Sequence, residues 1–202
     1  MSSIQSKYIE SLCIGTRSSK RTDLIHHGIG ESVVEWFPEI TYKIEEKMNT
    51  HIGTYKVDVV LYKNDKPILF ILVKAPLCNI KQNETNTQNS CLGEIVKLYK
   101  SYPDIPIVMF DFIPMKCPYY SKDNTIKKME TFEINDVRKS TQLFVELTEI
   151  PGLKNPMLRD RFIVFTNLTQ TSKDNIVFDS FEDKTDIERF HSFVKTIMSE
   201  CV

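Results

Sequence analysis

Tyr-Lys-Val-Asp-Val-Val-Leu-Tyr-Lys-Asn-Asp-Lys-Pro-Ile-Leu-Phe-Ile-Leu-Val-Lys-Ala-Pro, residues 55–76, decides how the rest of the chain is read. Two runs rich in β-branched and aromatic residues flank a polar turn at Lys63 to Lys66, which is the pattern of a β-hairpin. Each arm carries one charged residue among apolar neighbours, Asp58 in the first and Lys74 in the second. A buried charge is costly unless it is paired, binds a metal or takes part in chemistry, so function is sought here. Register decides whether the two charges meet. An odd loop, such as Asn64 to Lys66, pairs Asp58 with Leu72 and puts Asp58, Leu72 and Lys74 on one face. An even loop pairs Asp58 with Ile71 and sends Lys74 to the other face.

Outward from the hairpin, Ile40, Tyr42 and Ile44 alternate with polar residues, as in a half-exposed strand. Upstream of it, the spacing predicts a helix over about Thr22 to Trp36, ended by Pro38, with Glu31 and Glu35 as an i, i+4 pair on one face. Ile4, Tyr8 and Leu12 mark a short amphipathic helix before that. The link Gly15-Thr-Arg-Ser-Ser-Lys-Arg21 is basic and hydroxyl-rich, fit for phosphate contacts and equally for plain solvation. The adjacent His26 and His27 point in different directions and read as structural. Downstream, Leu77 to Ser90 is rich in Asn and Gln and reads as a loop, followed by a helix over 93–100. Ile105 to Ile113 is a nearly continuous apolar run, as in a buried strand.

Beyond Pro114, Met115–Asn124 reads as a loop and Thr125–Glu133 is ambiguous between strand and helix. Asp136 to Ile150 is an amphipathic helix with Val137, Leu143, Phe144 and Leu147 expected inward, stopped by Pro151-Gly152. Arg159–Gln170 and Asn175–Phe181 look like strands. A closing helix over Asp186 to Glu200 turns Ile187, Phe190, Phe193, Val194 and Ile197 to one side. The expected class is α/β: a central mixed sheet flanked by helices, one domain over 1–202, with a core at 22–113 and a C-terminal α/β extension at 114–202.

Composition bounds the rest. The 202 residues, 41% hydrophobic and 26% charged, are ordinary for a soluble globular domain with its own core. A net charge of −1 gives no global case for nucleic acid, though a local basic cleft is enough for it. Six glycines and no G-x-G-x-x-G or P-loop pattern argue against a nucleotide cofactor. No apolar run reaches membrane-spanning length and no signal-peptide core is seen. Five scattered cysteines without zinc-ligand spacing read as free thiols in a reducing cytoplasm.

Asp58, then the hairpin, then x-x-Lys74 resembles the signature of the PD-(D/E)XK nuclease superfamily, which includes most type II restriction endonucleases. The resemblance covers residues 22 to 113: a helix with glutamates, a strand, the Asp-bearing strand, the Lys-bearing strand, a helix and another strand. It implies a restriction endonuclease-like core, Mg²⁺ held by Asp58 and a second carboxylate, and Lys74 positioning or deprotonating the attacking water. Hard divalent cations take oxygen ligands, acidify bound water and offset charge on phosphate. Two positions depart from the pattern. Val57 stands for the usual Pro, and Leu72 for the second carboxylate. Glu94 on the helix after the Lys strand is the first candidate for that missing ligand, and Glu35 or Glu31 from the preceding helix the next.

The implied activity is Mg²⁺-dependent, sequence-specific cleavage of double-stranded DNA, and a palindromic site implies a homodimer assembled through the region after residue 114. The alternative is a module of the same fold that has lost its metal site and binds DNA or a protein partner. Asn83, Asn86, Gln88 and Asn89 have the chemistry to read adenine edges, Tyr119 and Tyr120 to stack on a base or to anchor their loop, and Arg159 and Arg161 to contact phosphates or guanine. As a plain alternative, Asp58 and Lys74 form a buried ion pair in an ordinary sheet.

Overall fold

Asn64 and Asp65 both adopt left-handed backbone angles, φ 51° and 61°, which a two-residue hairpin turn requires and which Asn and Asp tolerate. That turn alone gives the even register, and it does pair Lys63 with Lys66 and Tyr62 with Pro67. A bulge at Leu61/Tyr62 then leaves Ile68 unpaired and shifts the ladder to Leu61–Leu69, Val60–Phe70 and Val59–Ile71. Continued one step, this register sets Asp58 opposite Leu72. Pro67 beside the bulge sits where a strand tolerates a missing N–H donor. The register that brings Asp58 and Lys74 to one face is thus reached through a two-residue turn and a bulge rather than an odd loop.

The computed structural model of the chain describes residues 1–14, 18–153 and 155–200. Gly15, Thr16 and Arg17 of the basic link lie outside these, while Ser18 caps the next helix. In chain order the elements are α1 (Ser3–Leu12), α2 (Ser19–Trp36), β1 (Ile40–Thr50), β2 (Gly53–Lys63), β3 (Lys66–Lys74), α3 (Ile80–Ser101) and β4 (Ile107–Pro114). They continue with β5 (Lys116–Tyr120), β6 (Ile126–Thr131), α4 (Ile134–Glu146), β7 (Asp160–Gln170), β8 (Ile176–Asp183) and α5 (Thr185–Glu200). The protein is α/β, with a six-stranded mixed sheet in the order β1-β2-β3-β4-β7-β8 and a separate β5–β6 hairpin. β3, β4 and β7 run parallel, and the remaining neighbours are antiparallel.

Helices cover both sheet faces. On one, α1, α2 and α5 bury Tyr8, Ile29 and Phe190 against Val59, Ile71, Phe110 and Phe162. On the other, α3 and α4 bury Ile95, Leu98 and Phe144 against Val60, Phe70, Leu72 and Met109. Strand alternation carries this through: Ile71 and Val73 face the first layer, Phe70 and Leu72 the second. α5 turns Ile187, Phe190, Val194 and Ile197 inward as its spacing predicts.

The structure corrects three local expectations. Residues 80–90 are helical, not a loop: α3 runs unbroken from Ile80. Lys116–Tyr120 is a strand, paired with β6. On α4 Phe144 is buried, but Leu143 and Leu147 are 53% and 73% exposed, because the helix meets the sheet along the Thr141–Phe144 side. Within residues 114–202, β7 pairs with β4, and β7 and β8 complete the sheet. No helix among the described residues is long and apolar enough to cross a membrane.

Candidate active site

Charged residues from successive strands lie on the sheet face toward α3. Asp58 on β2 and Lys74 on β3 share that face with Leu72, and Asp111 on β4 is the register neighbour of Lys74. Arg161 on β7 sits beside Met109, one pleat from Asp111, with which it forms an ion pair. Asp58, Lys74, Asp111 and Arg161 thus alternate in sign across four strands. Leu72 is fully buried beneath α3 and supplies no ligand.

Glu94 reaches this band from above. Its Oε2 accepts a hydrogen bond from Lys74 Nζ at 3.2 Å, and its Oε1 accepts one from Ser90 Oγ at 3.4 Å. Asp58 is anchored by the Val73 N–H, which donates to Oδ2 at 2.6 Å. Burial raises the Asp58 carboxyl above its ordinary range, opposed by the Val73 N–H and Lys74, while Glu94 adds to the rise. For Lys74, burial pulls the ammonium down, but Cys91, Glu94 and Asp58 together leave it above its ordinary value. It is therefore a cation at neutral pH, suited to holding a phosphate oxygen or orienting water more than to removing a proton. Burial, then Glu94 and Asp58, push the Tyr55 phenol up, which makes it a hydrogen-bond donor at the rim of the same cluster.

Of the residues the sequence singled out, Asp58, Lys74 and Glu94 meet. Glu35 does not. It lies fourteen residues (35 − 21) beyond Arg21 on α2, about 21 Å along the helix axis at 1.5 Å per residue. Its exposed carboxylate instead accepts the Ser3 hydroxyl. Glu31 is on the same helix, across the sheet from Lys74, where its charge acts on Lys7 and Tyr42. Asp58, Glu94 and Asp111 do not bring three ligand atoms within 4.8 Å of one another. As placed, no more than two of these carboxylates could share one ion, the rest of its shell being left to water.

Two further residues contribute, Asp111, which the sequence reading does not single out, and Arg21, the last residue of the basic link. Asp111 is 1% exposed and its Oδ1 is buried without a hydrogen-bond partner. Its signal was present, as the one charge inside the apolar run Ile105–Ile113. Arg21 is 6% exposed; its Nη2 donates to the Ala75 carbonyl at 2.8 Å, while Nε and Nη1 are buried with no partner. Arg21, Lys74, Lys81, Asp111 and Arg161 line a groove of about 720 Å³ along the ends of β3 and β4. Two buried guanidinium donors without a partner are unusual, and the charge of Arg21 adds to the basic wall of this groove.

The β5–β6 hairpin borders this groove. Asn79, at the start of α3, exchanges hydrogen bonds with the Tyr120 backbone, taking the N–H at 2.7 Å and donating to the carbonyl at 3.3 Å. Tyr120 is buried and anchors the hairpin, while Lys173 and Lys128 stand over the Tyr120 and Tyr119 rings. Lys122 and Lys127 add to this basic rim. No protein-family model, curated protein or solved structure matches the chain.

Proposed function

We propose that the chain is a Mg²⁺-dependent endonuclease acting on double-stranded DNA, of the type II restriction kind, built on the PD-(D/E)XK pattern. The observation that carries the reading is the convergence of Asp58, Lys74 and Glu94 from β2, β3 and α3. The element order α2-β1-β2-β3-α3-β4 supports it, as it follows the superfamily's core. The donor set fits Mg²⁺, which usually takes one or two carboxylates and leaves the remaining positions to water and phosphate. Asp58 Oδ1 and Glu94 would hold the ion, which when bound supplies a Lewis acid and a source of acidified water.

The chain's own residues do the rest. Lys74, cationic between the two carboxylates, would orient the attacking water and take up charge on the scissile phosphate. Arg21, on the groove wall, would add positive charge beside a neighbouring phosphate. The first half of α3, with Asn83 and Gln88 beside the groove, would meet base edges. A homodimer on a palindrome belongs to the same proposal, with the uncovered Leu143, Leu147 and Ile150 as surface for a second copy to bury.

A second reading is a catalytically inactive module that binds DNA or a protein partner. The full burial of Leu72 and the engagement of Lys74 by Glu94 favour it. Plasmid DNA incubated with the protein and Mg²⁺ separates the two. Discrete fragments, lost by at least about a hundredfold in Asp58→Asn and Glu94→Gln, are expected of the enzyme. Binding without cutting supports the module. Cutting that persists in both Asp58→Ala and Lys74→Ala would remove the assignment of this site.

A further inference from the structure

A second cluster lies on the opposite side of β1 and β2 from Glu94. Asp23 and His26 are three residues apart on α2 and so share one face of it. Glu45 comes toward them from β1. Its ladder neighbours pair normally, Ile44 with Val59 and Glu46 with Val57, but Glu45 itself adopts φ 50°. A glutamate in the left-handed region inside a strand is uncommon, and such strain gathers at functional sites. One ligand atom from each of the three residues lies within 4.8 Å of the others.

His26 supplies an independent sign that something is bound. It is 3% exposed, and its Nδ1 is buried with no hydrogen-bond partner. The nearest acceptor, Glu45 Oε1, stands 3.4 Å away. That contact is not a hydrogen bond, but donors about 2.1 Å from a tetrahedral metal lie roughly 3.4 Å from each other. Lys56 Nζ is 3.6 Å from Glu45 Oε2, the other oxygen, and leaves Oε1 facing His26.

We propose that Asp23, His26 and Glu45 bind a first-row transition-metal dication of the Zn²⁺ class, pinning α2 to β1. One imidazole and two carboxylates suit Zn²⁺, Co²⁺ or Mn²⁺ better than Mg²⁺ or Ca²⁺, which favour all-oxygen shells. Three protein ligands leave the fourth position to water. The site does not depend on the nuclease reading and shares no residue with it.

The test is Co²⁺ and Zn²⁺ binding to the full-length, tag-free protein, read by visible absorption and by competition against a chelator. Wild type should bind an equivalent that Asp58→Asn retains, with visible bands free of thiolate charge transfer. Asp23→Asn and Glu45→Gln, each conserving shape, should weaken it beyond the 10–100-fold that losing an outer-shell partner costs. Asp58→Asn should leave it unchanged. Equal affinity in wild type and the Asp23→Asn/Glu45→Gln double variant would overturn the proposal. So would loss of binding in Asp58→Asn, or thiolate bands that assign the ion to cysteine. Circular dichroism of each variant verifies that lost binding is not lost folding.

Discussion

Arg161→Met should leave the most deeply buried carboxylate of the site without its partner. Asp111 and Arg161 form an ion pair whose side chains are 1% and 16% exposed, so water has little room to replace the guanidinium. Breaking a buried pair by removing one member costs about 3–5 kcal/mol. At roughly 2.1 cal/mol/K of unfolding entropy per residue, the 202 residues give about 0.42 kcal/mol/K, so a loss near 4 kcal/mol lowers Tm by about 9 °C. The deficit should vary with pH. Burial raises the Asp111 carboxyl against the opposing pull of Arg161 and Lys74, and removing Arg161 raises it further. A carboxyl whose folded pKa exceeds its unfolded one binds its proton more tightly when folded. Its contribution is then full below the unfolded value, near 4, and is lost as pH rises toward the folded value. The variant should therefore lie closest to wild type near pH 5 and furthest from it at pH 8. Thermal melts at both pH values test this, with Asp111→Asn/Arg161→Met, which buries no charge, recovering at least half of the loss at pH 8. A Tm for Arg161→Met within about 2 °C of wild type at pH 8 would refute the reasoning.

At Gly30, a Cβ would stand 2.2 Å from the Tyr42 ring, so Gly30→Ala should cost about 1–3 kcal/mol despite the better helix propensity of alanine. Urea denaturation measures it, and pairing the change with Tyr42→Ala should recover most of the added loss. Arg21→Met gives up one hydrogen bond, to Ala75, and two orphaned donors, so stability should change by no more than about 1.5 kcal/mol. If the groove holds a phosphate, the same change should reduce the slope of log K against log salt for DNA binding by about one unit; an unaltered slope would leave Arg21 outside the interface.

The hairpin, the helix α2, the buried strand β4 and the closing helix were legible because each buries a regular apolar face. The loop assigned to residues 77–90 was misread for a related reason. Residues 81–87 of α3 are all exposed, so this half of the helix has no apolar stripe to betray its period. Strand β5 was hidden by its brevity and by Pro118. The apolar positions of α4 did mark a helix, but Leu143 and Leu147 face solvent, so periodicity alone misplaced its buried side. Asp111 shows in the sequence as the lone charge of an apolar run, but nothing there says what it meets. Only the parallel register with β3, which sets it beside Lys74, gives it meaning.

The exposed half of α3 also explains how Glu94 reaches Lys74 across twenty residues of sequence (94 − 74). From Ile80 to Glu94 the helix climbs about 21 Å at 1.5 Å per residue, starting beside the hairpin at Asn79 and returning over the sheet. A shorter connection would set the glutamate nearer in sequence, but with less polar helix beside the groove. Here Asn83 and Gln88 occupy those extra turns, and the buried half that follows, anchored by Cys91, Ile95 and Leu98, fixes Glu94 at 3.2 Å from the lysine. The carboxylate that Leu72 does not supply and the polar helix surface beside the groove are therefore two consequences of one long helix. Shortening α3 within residues 81–88 should shift Glu94 off Lys74 unless the deletion keeps the helical phase. For that reason substitutions at Asn83 and Gln88, rather than deletions, can separate the proposed DNA contact from the geometry of the charged cluster.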